Sequence, residues 1–179
     1  EICACLVGSE MCIRDRCSAV SRECSKYGYE PVMLTDQLCC QAKEAGSFLA
    51  SIAKTHCKSG KKLAYIAGGE TVVNITGHGK GGRNQEIALS AAEGIKGMSN
   101  AAVFSIGSDG TDGPTDAAGG YSDGDTAGEL KNKGIDIFEV LKNNDAYNAL
   151  KLTEGLIITG PTGTNVNDLS LIHISEPTR

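Results

Sequence analysis

Three short apolar runs in this chain each open directly into a glycine-rich loop. TVVNIT (Thr71–Thr76) leads into GHGKGGRNQE, AVFSI (Ala102–Ile106) into GSDGTDGPTDAAGG, and LIIT (Leu156–Thr159) into GPTGTNVND. Runs this short and rich in β-branched residues read as strands, because branched side chains pack well on a pleated surface. PVMLT (Pro31–Thr35) and LAYIA (Leu63–Ala67) add two more. Between them lie helical patterns. Ala42, Ala45, Leu49, Ile52 and Ala53 recur at helical spacing. Further helices are expected over Cys17–Lys26, after the first glycine-rich loop in IALSAAEGI, over Thr126–Lys133 and over Asp145–Leu150. Strands alternating with helices predict an α/β fold: a mostly parallel or mixed sheet with helices packed on it and glycine-rich loops at the strand carboxyl ends. Ligands of open α/β sheets bind beyond those ends, so the three loops can share one site.

The two ends of the chain stand apart from this pattern. Codons chosen for Leu6–Arg16 and read as their reverse complement translate to Leu169–Arg179, residue for residue. No folding requirement produces that relation, whereas one DNA adapter joined to both ends of a fragment does. Residues 1–16 and 169–179 are therefore expected to be adapter-derived tails. Residues 17–59 are expected to be the end of a preceding domain and its connection, and residues 60–168 a domain of their own.

Lys and Arg number 17 against 22 Asp and Glu. Setting aside Arg14, Arg16 and Arg179 with Glu1, Glu10, Asp15 and Glu176 leaves the balance mildly negative. A nucleic-acid surface would show a basic face, so no nucleic-acid partner is expected. No apolar run reaches the ~20 residues of a membrane span. Cys17, Cys24, Cys39, Cys40 and Cys57 lack C-x-x-C spacing, which predicts reduced structural thiols in a cytoplasmic protein.

The loops differ in chemistry. In the first, glycines let backbone N–H groups approach an anion, the following helix adds partial positive charge, and Lys80 and Arg83 add full charges. Arg83 can grip a phosphate or carboxylate with parallel hydrogen bonds; otherwise the stretch is a turn carrying two solvated cations. Gly77, Gly79 and Gly82 also match G-x-G-x-x-G, yet the acidic residue that should end a following strand about 20 positions on is missing. The second loop holds Asp109, Asp112 and Asp116, an oxygen-rich set suited to Mg²⁺ bound with phosphate, or else turn formers and a helix cap. The third, with Thr162 and Asn165, offers a neutral polar surface for phosphate or sugar. Together they favour phosphoryl transfer, where the protein's work is positioning and charge stabilisation.

GGETVV, GKGGRNQE, GSDGTDGPTDAAG, NNDAY and TGPTGTNVND, in this order, resemble the C-terminal MOFRL domain of the class II glycerate kinases, a family in which some members are called hydroxypyruvate reductase. The resemblance covers about residues 62–168. It implies transfer of the ATP γ-phosphate to the 2-hydroxyl of D-glycerate with Mg²⁺, in a cleft completed by an N-terminal domain that carries a catalytic lysine and is mostly absent here. It makes Arg83 the catalytic candidate. The chemistry of the loops then places Glu70, Lys80, Asn84, Glu86, Thr162 and Asn165 as expected substrate or phosphate contacts and Asp109, Asp112 and Asp116 on the metal. Two alternatives stay open: NAD(P)H-dependent reduction of hydroxypyruvate, and a non-catalytic anion-binding domain.

Overall fold

The computed structural model of the chain describes residues 2–175. In chain order the elements are α1 (Ile2–Lys26), β1 (Glu30–Leu38), α2 (Ala42–His56), β2 (Leu63–Gly69), α3 (Arg83–Gly94), β3 (Ala101–Gly107), β4 (Gly119–Asp123), α4 (Thr126–Asn132), α5 (Ile137–Lys142), α6 (Ala146–Leu152), β5 (Leu156–Ile157) and β6 (Asp168–Ile174). The strands form a single sheet in the order β1-β2-β6-β3-β4-β5.

The sheet is mixed. β1 and β2 are parallel neighbours, while β6 runs antiparallel to both β2 and β3, and β4 antiparallel to β3 and β5. β2 and β3 thus point the same way with β6 slotted between them, and α3 crosses over from one to the other. The consequence for function is geometric. The carboxyl ends of β2, β3 and β5 meet the amino ends of β4 and β6 at one edge, and all three glycine-rich loops leave from it.

One face of the sheet carries α2 and α3. Their buried stripe includes Ala45, Leu49, Ala53, Ile87 and Ala91, packed on Leu63, Tyr65, Val103 and Ile172. Each large aliphatic side chain buried this way stabilises the fold by ~1.5–3 kcal/mol. A second cluster joins α3 to α4, α5 and α6 through Leu89, Leu130 and Leu150. α1 covers the opposite face, where Ile13 and Cys17 meet Ile66, Leu169 and Leu171.

Several sequence expectations change here. TVVNIT is not a strand: beyond β2 the chain makes one bridge, Val72 to Gln41, and continues as an extended strap. Its amides at Thr76 and Gly77 are taken by the Asn144 side chain, not by a neighbouring strand. β4 and α5 have no counterpart in the sequence pattern. β1 pairs with β2, and α2 packs on α3. Leu169–Ile174 lie in β6 between β2 and β3, and α1 runs continuously through Arg16. Of the expected tails, residues 1 and 176–179 lie outside the described residues.

Candidate active site

α3 begins at Arg83, and its first turn leaves backbone N–H groups without partners inside the helix. Its N-cap residue is Gly82, which has no side chain to accept them. Asp112 accepts them instead. Its Oδ1 receives the Asn84 N–H at 3.1 Å and the Asn84 Nδ2 at 3.2 Å, and its Oδ2 receives the Gln85 N–H at 2.9 Å. Gly82 is glycine because a Cβ there would stand 2.3 Å from the Asp112 Cγ. Asp112 is 3% exposed. Burial pushes its pKa up to about 6, against the opposing pull of the hydrogen bonds from Gln85 and Asn84. The helix terminus that could have cradled a phosphate is therefore already filled by the protein's own carboxylate.

The backbone of the first loop is similarly committed. The Asn144 Oδ1 accepts from Thr76 and Gly77, the Asn143 Oδ1 from His78, and the Asp145 Oδ1 from Lys80. The motif NNDAY is the buckle that fastens this loop. Asn144 sits at a φ of 56°, a conformation asparagine tolerates better than most residues, and its Nδ2 reaches the Glu86 Oε1 at 2.8 Å. Glu86 is buried, and burial raises its pKa, moderated by Asn144 and Lys43.

Arg83 is held by two carboxylates. Its Nη1 lies 2.9 Å from the Glu70 Oε1. Its Nε lies 2.5 Å from the Asp168 Oδ2, an ionic contact, and its Nη2 donates to the Asp168 Oδ1 at 3.3 Å. Partial burial opposes the charge on the guanidinium, but Asp168 and Glu70 outweigh it and the net shift is upward. Asp168 is itself pushed up by burial, with Asn84 and Arg83 pulling the other way. From α1, the Arg16 Nη1 donates to the Asn167 carbonyl at 2.6 Å and its Nη2 to the Asp168 carbonyl, pinning the backbone that carries this carboxylate.

Arg83, Glu86, Asp109, Asp112 and Asn144 line one cleft of about 530 Å³, with the strap residues Val72 and Ile75 as its apolar wall. Glu70 borders it through Arg83. Other expected contacts lie elsewhere. Asn84 is buried, its amide spent on Asp112 and on the Ser105 hydroxyl, which donates to the Asn84 Oδ1 at 2.5 Å. Lys80 places its ammonium 4.1 Å from the Tyr147 ring centroid, outside the cleft. Thr162 fastens the third loop to the second: its hydroxyl donates to the Ser108 carbonyl and its amide to the Asp109 carbonyl. Asn165 is exposed on the same loop.

The three aspartates do not converge. Asp112 caps α3. Asp116 accepts from the Tyr147 hydroxyl at 2.8 Å, which lowers its pKa. Asp109 turns its own loop by accepting from Thr111. Among the described residues no group of three or more His, Cys, Asp or Glu side chains could hold a metal ion. Each of the three aspartates accepts a hydrogen bond from a different neighbour, and of them Asp109 and Asp112 line the cleft while Asp116 does not. Asp109, in the cleft with capacity left on its carboxylate, is the member able to join a Mg²⁺ held mostly by phosphate and water. Asp168 and Asn144 are the contributors that sequence reasoning missed. Both stood inside recognisable motifs, with nothing in their spacing to show which side chains they would reach.

Fold and cleft define a class: an α/β domain that gathers an arginine paired with two carboxylates, and further buried carboxylates, at one edge of a mixed sheet. Residues 63–168 match the MOFRL family, and the chain belongs to that family. It is 51% identical over 168 residues to the D-glycerate 2-kinase of Thermotoga maritima, an alignment covering 92% of this chain and 40% of that protein. It is 47% identical over 165 residues to the glycerate 2-kinase of Pyrococcus horikoshii, covering 89% and 37%. A putative hydroxypyruvate reductase of Agrobacterium vitis is 38% identical over 153 residues, covering 82% and 40%. The crystal structure of the Thermotoga maritima glycerate kinase superposes with a TM-score of 0.89 at 50% identity, over 91% of this chain and 40% of that one. The chain thus spans about two fifths of the length of these relatives. No described helix is long and apolar enough to cross a membrane.

Proposed function

We propose that this chain forms the C-terminal part of the active site of a cytoplasmic glycerate 2-kinase, which transfers the ATP γ-phosphate to the 2-hydroxyl of D-glycerate. The observation that carries the reading is Arg83, fixed at the mouth of the cleft by Asp168 and Glu70, in a chain half identical to a D-glycerate 2-kinase. Its guanidinium binds the transferring phosphoryl group or the glycerate carboxylate, stabilising charge where it develops. Mg²⁺, when bound with the nucleotide, neutralises charge on the phosphates, and Asp109 is the residue placed to help hold it. Glu86, buried at the cleft wall and engaged by the Asn144 side chain, shapes the cleft beside Arg83. The strap residues Val72 and Ile75 give the cleft an apolar side for the nucleotide or the adjoining domain.

The reductase reading is weaker on a specific ground. The backbone amides of Gly77, His78 and Lys80, which a dinucleotide pyrophosphate would need, already serve Asn143, Asn144 and Asp145. A chimera tests the kinase reading: the Thermotoga maritima enzyme with its corresponding region replaced by this chain, supplied with D-glycerate, ATP and Mg²⁺. The expected product is 2-phosphoglycerate, and Arg83→Gln is expected to lower kcat by about 10²-fold or more. A folded chimera that makes no phosphoglycerate, or turns over equally well without Arg83, would sink the proposal. The chain by itself is expected to show no turnover.

A further inference from the structure

The two carboxylates on Arg83 are unequal. The Asp168 side chain is 5% exposed, whereas that of Glu70 is 53% exposed. Asp168 opens β6 in register with Gly69 on β2 and Gly107 on β3, so it has glycine on both flanks and its backbone is tied down by Arg16. It meets the inner edge of the guanidinium, at Nε and Nη2. Glu70 lies just past the end of β2, at the mouth of the cleft, and meets Nη1 alone. A carboxylate with three planar heavy atoms around a delocalised charge resembles one face of a phosphate or of a carboxylic substrate, and it binds the same fork.

We propose that Asp168 is the permanent positioning residue for Arg83 and that Glu70 is a placeholder, occupying the guanidinium edge that an incoming oxyanion takes over. The inference rests on the proposed role of Arg83 as the anion-binding residue. When phosphate arrives, Glu70 swings to solvent, which is inexpensive for an exposed side chain whose surface ion pair is weak. Asp168 has no such exit: its strand, its neighbours and its burial keep it in place. Arg83 therefore stays aimed while its outer N–H groups change partners.

The two carboxylates make opposite predictions for the same charge change. By electrostatics alone, Glu70→Gln and Asp168→Asn each remove one negative charge beside Arg83, and both should tighten anion binding. As placeholder and positioner, Glu70→Gln is expected to bind inorganic phosphate about two- to fivefold more tightly, and Asp168→Asn about tenfold or more weakly. Binding is read from phosphate titrations of the whole chain followed by NMR. A second readout needs no anion: the Arg83 Nε–H should exchange slowly with solvent in the unaltered chain and in Glu70→Gln, and rapidly in Asp168→Asn. Asp168→Glu, which keeps the charge but lengthens the arm, should fall between, and serves if the asparagine variant does not fold. Affinity shifting in the same direction for both variants, or equal Nε–H exchange in them, would overturn the inference. Arg83→Gln separates the two levels. If it leaves phosphate affinity unchanged, or the unaltered chain binds no phosphate, the role given to Arg83 fails and takes the placeholder with it. If it abolishes binding while the two carboxylate variants behave alike, the placeholder fails by itself.

Discussion

Gly46 of α2 lies against Ile87 of α3 so closely that a Cβ built on it would stand 2.2 Å from the Ile87 carbonyl oxygen. A second small contact follows on the same two helices, where a Cβ on Gly94 would stand 2.4 Å from that of Ala50. The close crossing seats Ile87 and Leu49 in one core. Helix propensity favours Ala over Gly by ~1 kcal/mol, but forcing a methyl against backbone costs ~1–3 kcal/mol or more. Sterics win at this position. Gly46→Ala should lower stability, while Gly128→Ala in α4, where nothing lies within 4 Å of the new methyl, should raise it by ~0.5–1 kcal/mol. Melting curves for the pair check both signs; equal shifts would refute the close crossing.

Asn144 fastens the strap to α3, and its backbone and its side chain can be tested separately. It holds a positive φ and uses its amide on Thr76, Gly77, Asn74 and Glu86. Asn144→Gly keeps the backbone easy and removes the side-chain bonds, costing ~1–3 kcal/mol. Asn144→Ala removes the same bonds and adds ~1 kcal/mol or more of left-handed strain. The expected order of stability is Asn, then Gly, then Ala. Amide exchange at Thr76 and Gly77 should quicken in both variants. Slow exchange there in Asn144→Gly would mean that the strap is held by something else.

Much of this fold was legible because burial writes itself into short apolar runs. LAYIA is buried from end to end, and the alanine-rich spacing of α2 follows its buried face. What escaped was set by partners remote in sequence. TVVNIT is rich in β-branched residues like a strand, yet the Asn144 side chain claims the amides of Thr76 and of Gly77 just after it. GGYSD lacks strand propensity, yet it is β4, because a side chain at Gly119 would come within 1.9 Å of the Ser105 carbonyl oxygen on β3. In the site, charge and glycine singled out Arg83 and Glu70, which do meet. In the acidic loop three aspartates close in sequence reach three different partners, a divergence that their spacing does not display. The link from Arg83 to Asp168 follows from β6 lying between β2 and β3, an order that local pattern does not encode.

Asp112 makes the stability of the domain depend on pH in a direction opposite to that of most carboxylates. A carboxylate in a salt bridge usually has a depressed pKa, so its contribution is lost as pH falls. Here burial outweighs the hydrogen bonds from Asn84 and Gln85, and the folded-state value rises from the ordinary 3.8 to about 6. Below the unfolded value Asp112 is protonated in both states, and its stabilising share is complete. As pH rises through about 4 to 6 the unfolded chain gives up the proton first, so stability falls, and it levels off above the folded value. A rise of this size corresponds to a loss of about 3 kcal/mol. Asp168 and Glu86 are also shifted upward and act in the same sense, whereas Asp116 is shifted downward and acts against it. The clean quantity is therefore the difference in unfolding free energy between the unaltered chain and Asp112→Asn, measured from pH 4 to 7. The substitution removes the titration, along with one acceptor for the Gln85 amide, and that second loss is the same at every pH. The expected difference narrows as pH rises, because the losses from Asp168 and Glu86 are common to both proteins and cancel, leaving the Asp112 titration that only the unaltered chain carries. A difference that stays constant or widens toward neutral pH would show that the capping hydrogen bonds dominate burial and that Asp112 sits at the head of α3 as an ordinary anion.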